Sequence, residues 1–265
     1  MRLYDLFEAT PPDPLAPGDE IPTDVVDWKW LTEHTRQYRQ YVNVAKKWLY
    51  RGTRNRPNAF HGRSRDDRRP ESSHRGISMV FDYILSYHFN ASAGRLNSVF
   101  CTSDVNHAGN FGSQYVIFPL DGFRYTYTTK HDIVLHDLYE LGWQQWNLDT
   151  WMMQVIDQAE TEDDARWLEN NISSRLDDPY ALFEQWLPQH AEELVGMGID
   201  RNLAFISLDA FVDLAQFKEQ FQPQTTNLET ALNNKVEVYI RGEYVALDVD
   251  TYAEKIEEHF KIEVA

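Results

Sequence analysis

The stretch "SVFCTSD", residues 98–104, decides how this chain folds. Val99 to Thr102 mix β-branched and aromatic side chains, and the chain then turns polar at Ser103 and Asp104. Such a run fits a short strand that ends in turn-forming residues. Immediately downstream, "NHAGNFG" (106–112) suits a single helical turn, and "QYVIFPL" (114–120) and "FRYTYTT" (123–129) suit two strands around an Asp-Gly turn. Upstream, "ISMVFDYILSYHF" (77–89) carries the apolar spacing of a helix.

Further upstream, "DVVDWKWLTEHTRQYRQYVNVAKKWL" (24–49) predicts a helix, continuous or broken, and "WLYRG" (48–52) is either its end or a short strand. Near the end, "KVEVYI" and "YVALDV" flank Arg-Gly-Glu, the signal of a hairpin, and "DTYAEKIEEHF" predicts a last helix. Between the two strand-rich parts, residues 136–222 hold recurring tryptophans, leucines and acids at helical spacing. One segment there, "TEDDARWLENNI", opens with a Thr-x-x-Asp capping pattern. The expected organisation is a Pro-rich arm (1–23), a first part of an α+β core (24–135), a helical acidic insertion (136–222) and core-completing strands with a C-terminal helix (223–265).

One segment departs from the rest. From Arg51 to Arg75 there are eight arginines against Asp66, Asp67 and Glu71, a formal charge of +5. The chain totals −17, so the other 240 residues carry −22. The segment is rich in Gly, Pro and Asn and reads as a long basic loop. A net charge of this sign opposes wholesale wrapping of nucleic acid, so any anion must be bound locally. At 265 residues, with 42% hydrophobic and 14% aromatic content, the chain can bury a sizeable core. No apolar run is long enough for a membrane span, and the acidic, Pro-rich start lacks the apolar region of a signal peptide. The single cysteine, Cys101, precludes an internal disulfide and suits a cytoplasmic, reducing setting. The histidines, His107, His131 and His136 among them, show no ligand spacing, so no metal is expected.

Three segments on or beside strands offer polar residues among apolar ones: "LYRGT" (49–53), "SVFCTSD" and "NNKVEVYI" (233–240). Arg51, the Thr102–Ser103 pair and Glu237 in one cleft would suit a ligand with a phosphate, a sugar and a scissile glycosidic bond. Arginine binds phosphate through two parallel hydrogen bonds. A carboxylate stabilises an oxocarbenium-like centre. Each residue also has a plain reading: Arg51 can pair with an acid, the hydroxyls can form a turn, and Glu237, between Val236 and Val238, can face outward from a half-buried strand.

Taken in order, these segments resemble the Arg–Ser–Glu signature of the ADP-ribosyltransferases, where arginine, Ser-Thr-Ser and glutamate follow one another along the chain. "CTSDVNHAGNFGSQYVIFPLDGF" (101–123) is similar to the family's hydroxyl motif, its short helix carrying Ala and an aromatic–Gly pair, and its next strand. The resemblance covers 49–130 and 233–247. It implies a split mixed or antiparallel sheet with N-terminal helices, and NAD as the substrate. The implied roles follow position by position. Arg51, with Gly52 and Thr53, would hold NAD, Arg51 on its phosphate and ribose and Gly52 through its backbone at the nicotinamide amide. Thr102 and Ser103 would support the nicotinamide ribose and the catalytic glutamate, Glu237. Phe111 or Tyr115 would stack on nicotinamide. The acceptor would be a macromolecule, protein before nucleic acid.

Two positions depart from the pattern. Cys101 stands where the first serine would be. Lys235 stands where arginine-modifying members carry glutamate, which points to a different acceptor. The pattern "YRG", "RLNSVFCTSD", "YVIFPLDG" is also similar to bacteriophage proteins. The competing expectation is therefore a catalytically inactive virion, assembly or injected protein, with the acidic insertion meeting assembly partners. A third is local nucleic-acid binding through 51–75.

Overall fold

The helix expected over 24–49 breaks at Thr35, a buried residue whose Oγ1 donates to the Leu31 carbonyl at 2.7 Å. Helix α1 (Trp28–His34) starts at Asp27, whose carboxylate accepts the Trp30 N–H at 2.9 Å. Helix α2 (Arg36–Ala45) ends at Lys46, which adopts the left-handed conformation of a C-terminal cap. The chain then enters strand β2 (Leu49–Thr53), pinned by the Leu49 N–H donating to the Tyr38 hydroxyl of α2 at 2.8 Å. In this computed structural model the described residues are 20–22, 26–65, 75–128, 145–176, 178, 179 and 181–264.

The chain is an α+β protein with an open antiparallel sheet. The other strands are β1 (Glu20–Pro22), β3 (Ala59–Arg63), β4 (Val99–Thr102), β5 (Ser113–Pro119), β6 (Arg124–Thr128), β7 (Pro223–Gln224), β8 (Glu237–Arg241) and β9 (Glu243–Asp248). Their order is β1-β3-β9-β5-β2-β4-β8-β6-β7. Each of these pairings is antiparallel. Five residue pairs join β2 to β5, but one pair, Tyr50↔Thr102, joins β2 to β4. Around that narrow join stand β1-β3-β9-β5-β2 on one side and β4-β8-β6-β7 on the other.

Two expectations are corrected. Residues 51–75 are not one long loop, because "AFHGR" forms β3, seated between β1 and β9 with Ala59 and Phe60 buried. The hairpin expected around Arg-Gly-Glu does not form. Strand β8 pairs with β4 and β6, β9 pairs with β3 and β5, and Gly242 at φ +137 turns the chain from one set to the other. The two strands expected around the Asp-Gly turn form as β5 and β6, and they do not pair with each other. Strands β5 and β9 are buried in continuous runs, Val116 to Phe118 and Val245 to Leu247, so each needs neighbours on both edges and cover on both faces. Residues 1–19, 66–74 and 129–144, which include most of the Pro-rich arm and His131 and His136, lie outside the described residues.

The chain divides into two compact units, one of residues 1–68, 85–132 and 223–265, the other of 69–84 and 133–222. The first holds the sheet. Helix α11 (Val249–Phe260) packs on β5 and β9, and α10 (Leu228–Asn234) on α2 and β6. Between them Trp48, Phe118 and Phe260 meet at ring centroid distances of 5.2 to 5.5 Å. The second unit is helical, built from α5 (Gln145–Asp157), α6 (Glu162–Ser173), a π-helix (Ala181–Trp186), α7 (Leu187–Gly196), α8 (Arg201–Ala204), a 3₁₀ turn (Leu208–Phe211) and α9 (Leu214–Phe221). The first ten residues of α3 (Arg75–Phe89) also belong to it, and Phe81 packs there on Phe217 and Phe221. Its own core centres on Trp151, Phe183 and Phe211. The capping pattern at 161 is realised: the Asp164 N–H donates to Thr161 Oγ1 at 3.1 Å. Among the described residues no helix is long and apolar enough to cross a membrane.

Candidate functional site

Strands β2, β4 and β8 lie side by side, and their register aligns Tyr50 with Thr102 and Thr102 with Glu237. Arg51 follows Tyr50 and Ser103 follows Thr102, so the three predicted segments converge where the sheet narrows to one pair. Strand alternation puts Val238 and Ile240 in the core and Glu237 and Tyr239 on the other face of β8.

Glu237 is half-buried and held from its own face. The Tyr239 hydroxyl donates to Glu237 Oε2 at 3.1 Å, and Arg95 Nη1 lies 3.9 Å from the same oxygen. Arg95 is 4% exposed, and its guanidinium lies over the Phe100 ring at 5.1 Å. Burial pushes the Tyr239 phenol well above its ordinary value. The Glu237 carboxylate pushes it the same way and Arg95 pulls it back. Tyr239 is therefore a protonated donor at neutral pH.

The hydroxyl pair does something other than hold the glutamate. Ser103 Oγ donates to the Leu232 carbonyl at 2.5 Å. Thr102 Oγ1 donates to the Lys235 carbonyl at 3.3 Å and accepts the Asp104 N–H at 3.1 Å. Together they tie the end of β4 to α10 and to Lys235, which follows it. Asp104 opens the short helix α4 (Val105–Gly109), accepting from the Asn106 and His107 amides, and Lys235 Nζ lies 3.7 Å from it. Desolvation raises the Asp104 carboxyl, but the His107 amide, the Lys235 ammonium and the Asn106 amide together hold it below the ordinary range. Cys101 is a buried core residue aligned with Val238, so alternation turns its thiol away from Glu237.

Arg51 shares a face with its register partners, and its Nη1 donates to the Tyr244 hydroxyl at 2.7 Å. A Cβ on Gly62 would come within 2.7 Å of the Tyr244 ring, so that glycine makes the ring's seat. Gly52 has a comparable structural duty. A Cβ there would lie 1.8 Å from the Ala108 carbonyl oxygen of α4. Gly52→Ala should therefore push α4 away and lower stability by about 1–3 kcal/mol, read as a shift of the urea midpoint. An unchanged midpoint would contradict this packing. Of the two aromatics considered for stacking, Phe111 is 56% exposed beside Gly52, edge-on to His107. Tyr115 is buried, packed on Phe60, its hydroxyl donating to the Arg56 carbonyl at 3.2 Å.

The residues that sequence reading missed are Arg95, Tyr239 and Tyr244. Tyr239 was within reach, since period two puts it beside Glu237 on the strand. Arg95 sits in an irregular segment before β4, and Tyr244 meets Arg51 only through the pairing of β9 with β5, so neither carries a local signal. No group of His, Cys, Asp and Glu among the described residues could hold a metal ion. Searches of protein-family models, curated proteins and solved structures find no match to this chain.

Proposed function

We propose that this chain is an ADP-ribosyltransferase-like enzyme that cleaves NAD and passes ADP-ribose to a macromolecular acceptor. The observation that supports the reading is that β2, β4 and β8 are adjacent strands, so the segments carrying Arg51, Thr102–Ser103 and Glu237 come together where the sheet narrows. In the reaction, the bond between the nicotinamide nitrogen and ribose C1′ breaks and nicotinamide leaves with the electron pair. Glu237 stabilises the cationic ribosyl centre, Arg51 binds a phosphate and Phe111 covers the nicotinamide. The acceptor's nucleophile then bonds C1′ and gives up its proton. Lys235, engaged with Asp104, stands where a glutamate would orient an arginine acceptor, which favours other nucleophiles.

The test is incubation of the protein with NAD labelled in its adenylate half and a cell lysate. Label on protein or on nucleic acid supports transfer and gives the acceptor class. A second reading, an inactive virion or assembly protein of this fold, is favoured by the partners that Arg51 and Glu237 already have in Tyr244, Tyr239 and Arg95. No label, together with no heat in calorimetry at millimolar NAD, would decide for that second reading.

A further inference from the structure

The catalytic reading of Glu237 leaves open what aims the carboxylate. The position that resembles the family's first hydroxyl holds a thiol, and that thiol is buried beside Val238 on the opposite face of the strand. Ser103 and Thr102 donate to main-chain carbonyls. Two other groups converge on the carboxylate. Tyr239 Oη and Arg95 Nη1 both meet Glu237 Oε2, at 3.1 and 3.9 Å.

We propose that Arg95 and Tyr239 form a positioning pair for Glu237, taking over the duty that a strand hydroxyl would otherwise perform; this rests on the transferase reading above. Three observations support it. A guanidinium that is 4% exposed needs a nearby anion, because an uncompensated buried charge is costly, and Glu237 supplies one. The guanidinium is itself held in place, stacked over Phe100, which packs edge-on against Tyr239 at 5.3 Å. Tyr239 is fully buried, so its ring has little freedom, and its hydroxyl is kept protonated and donating by that burial and by the carboxylate it meets. Phe100, Tyr239 and Arg95 thus make a rigid cradle behind one carboxylate oxygen. Arginine, aromatic and carboxylate come from two neighbouring strands and the segment that leads into one of them, so the sheet's own register sets the aim. The pair acts through Glu237 and does not touch NAD.

The test compares wild type with Tyr239→Phe, Arg95→Lys and Cys101→Ser in steady-state cleavage of NAD. Tyr239→Phe removes one oxygen and keeps the ring, so the variant should fold. Its kcat should fall about 10-fold or more while KM for NAD stays within about 2-fold, the split expected when a reacting group is misaimed but substrate binding is untouched. Arg95→Lys, which keeps the charge but not the planar stack, should show the same split. Cys101→Ser should leave both constants unchanged. An unchanged kcat in Tyr239→Phe and Arg95→Lys, or a faster enzyme in Cys101→Ser, would overturn the pairing. If wild type itself fails to cleave NAD, the transferase reading falls instead, so the two failures are distinct.

Discussion

Glu237→Gln should lower NAD cleavage by about 10²–10³-fold, the range seen when one electrostatic stabiliser of a transition state is removed. Glutamine is the right replacement because it keeps the volume and leaves an acceptor for the Tyr239 hydroxyl. Alanine would strand both Tyr239 and Arg95 and confuse chemistry with folding. The substitution still removes the charge opposite Arg95, so some stability will be lost. The assay should therefore run well below the melting transition of both proteins, with circular dichroism as the check on fold. A variant that is folded and turns NAD over at the wild-type rate would remove Glu237 from the mechanism.

Phe118→Ala should cost about 3–5 kcal/mol, a large part of the stability of a typical domain. Phe118 is fully buried near the end of β5. It meets Trp48 at 5.2 Å, Phe260 at 5.5 Å and Tyr38 edge-on at 6.4 Å, so it joins the sheet to α2, α11 and the entry to β2. Its removal leaves a hole bordered by rigid rings that cannot collapse inward. Phe118→Leu should retain most of the lost burial and shift the urea midpoint far less. Equal midpoints for the two variants would mean that the loss follows the ring contacts themselves and not the apolar bulk that leucine keeps.

Much of this architecture could be read from local pattern, and the parts that could not have specific causes. Strands β4, β5 and β6 announce themselves because β-branched and aromatic residues run together and polar turns stop them. Strand β3 does not, because "AFHGR" is short and lies among arginines, prolines and asparagines. Its His61 is buried, with Nε2 3.3 Å from Glu243 on β9. Glu243 is in turn held below the ordinary carboxylate range, chiefly by its hydrogen bond with His61. The false hairpin at Gly242 has the opposite cause. Its local signal is sound, but both strands are apolar enough to demand two neighbours each, and tertiary pairing overrides the turn. In the candidate site, the order of Arg51, Thr102, Ser103 and Glu237 was legible. The groups that grip Arg51 and Glu237 were not, because those grips depend on which strands become neighbours and on one irregular segment.

The crossing at Gly242 has a consequence for how the chain assembles. Among the described strands, β6 and β7 are the only consecutive pair that are also neighbours, and residues 129–222 separate even those two. The described strands offer no local hairpin to nucleate the sheet, so each of their pairings waits on the closure of a long loop, which slows folding. Strands β8 and β9, residues 237–248, sit inside opposite sides of the sheet. A chain emerging from the ribosome can therefore complete neither side until residues 237–248 have been made. Until then β4 and β6 lack the strand that joins them, and β3 and β5 lack theirs. The nascent protein meanwhile presents four strand edges that only β8 and β9 can cover.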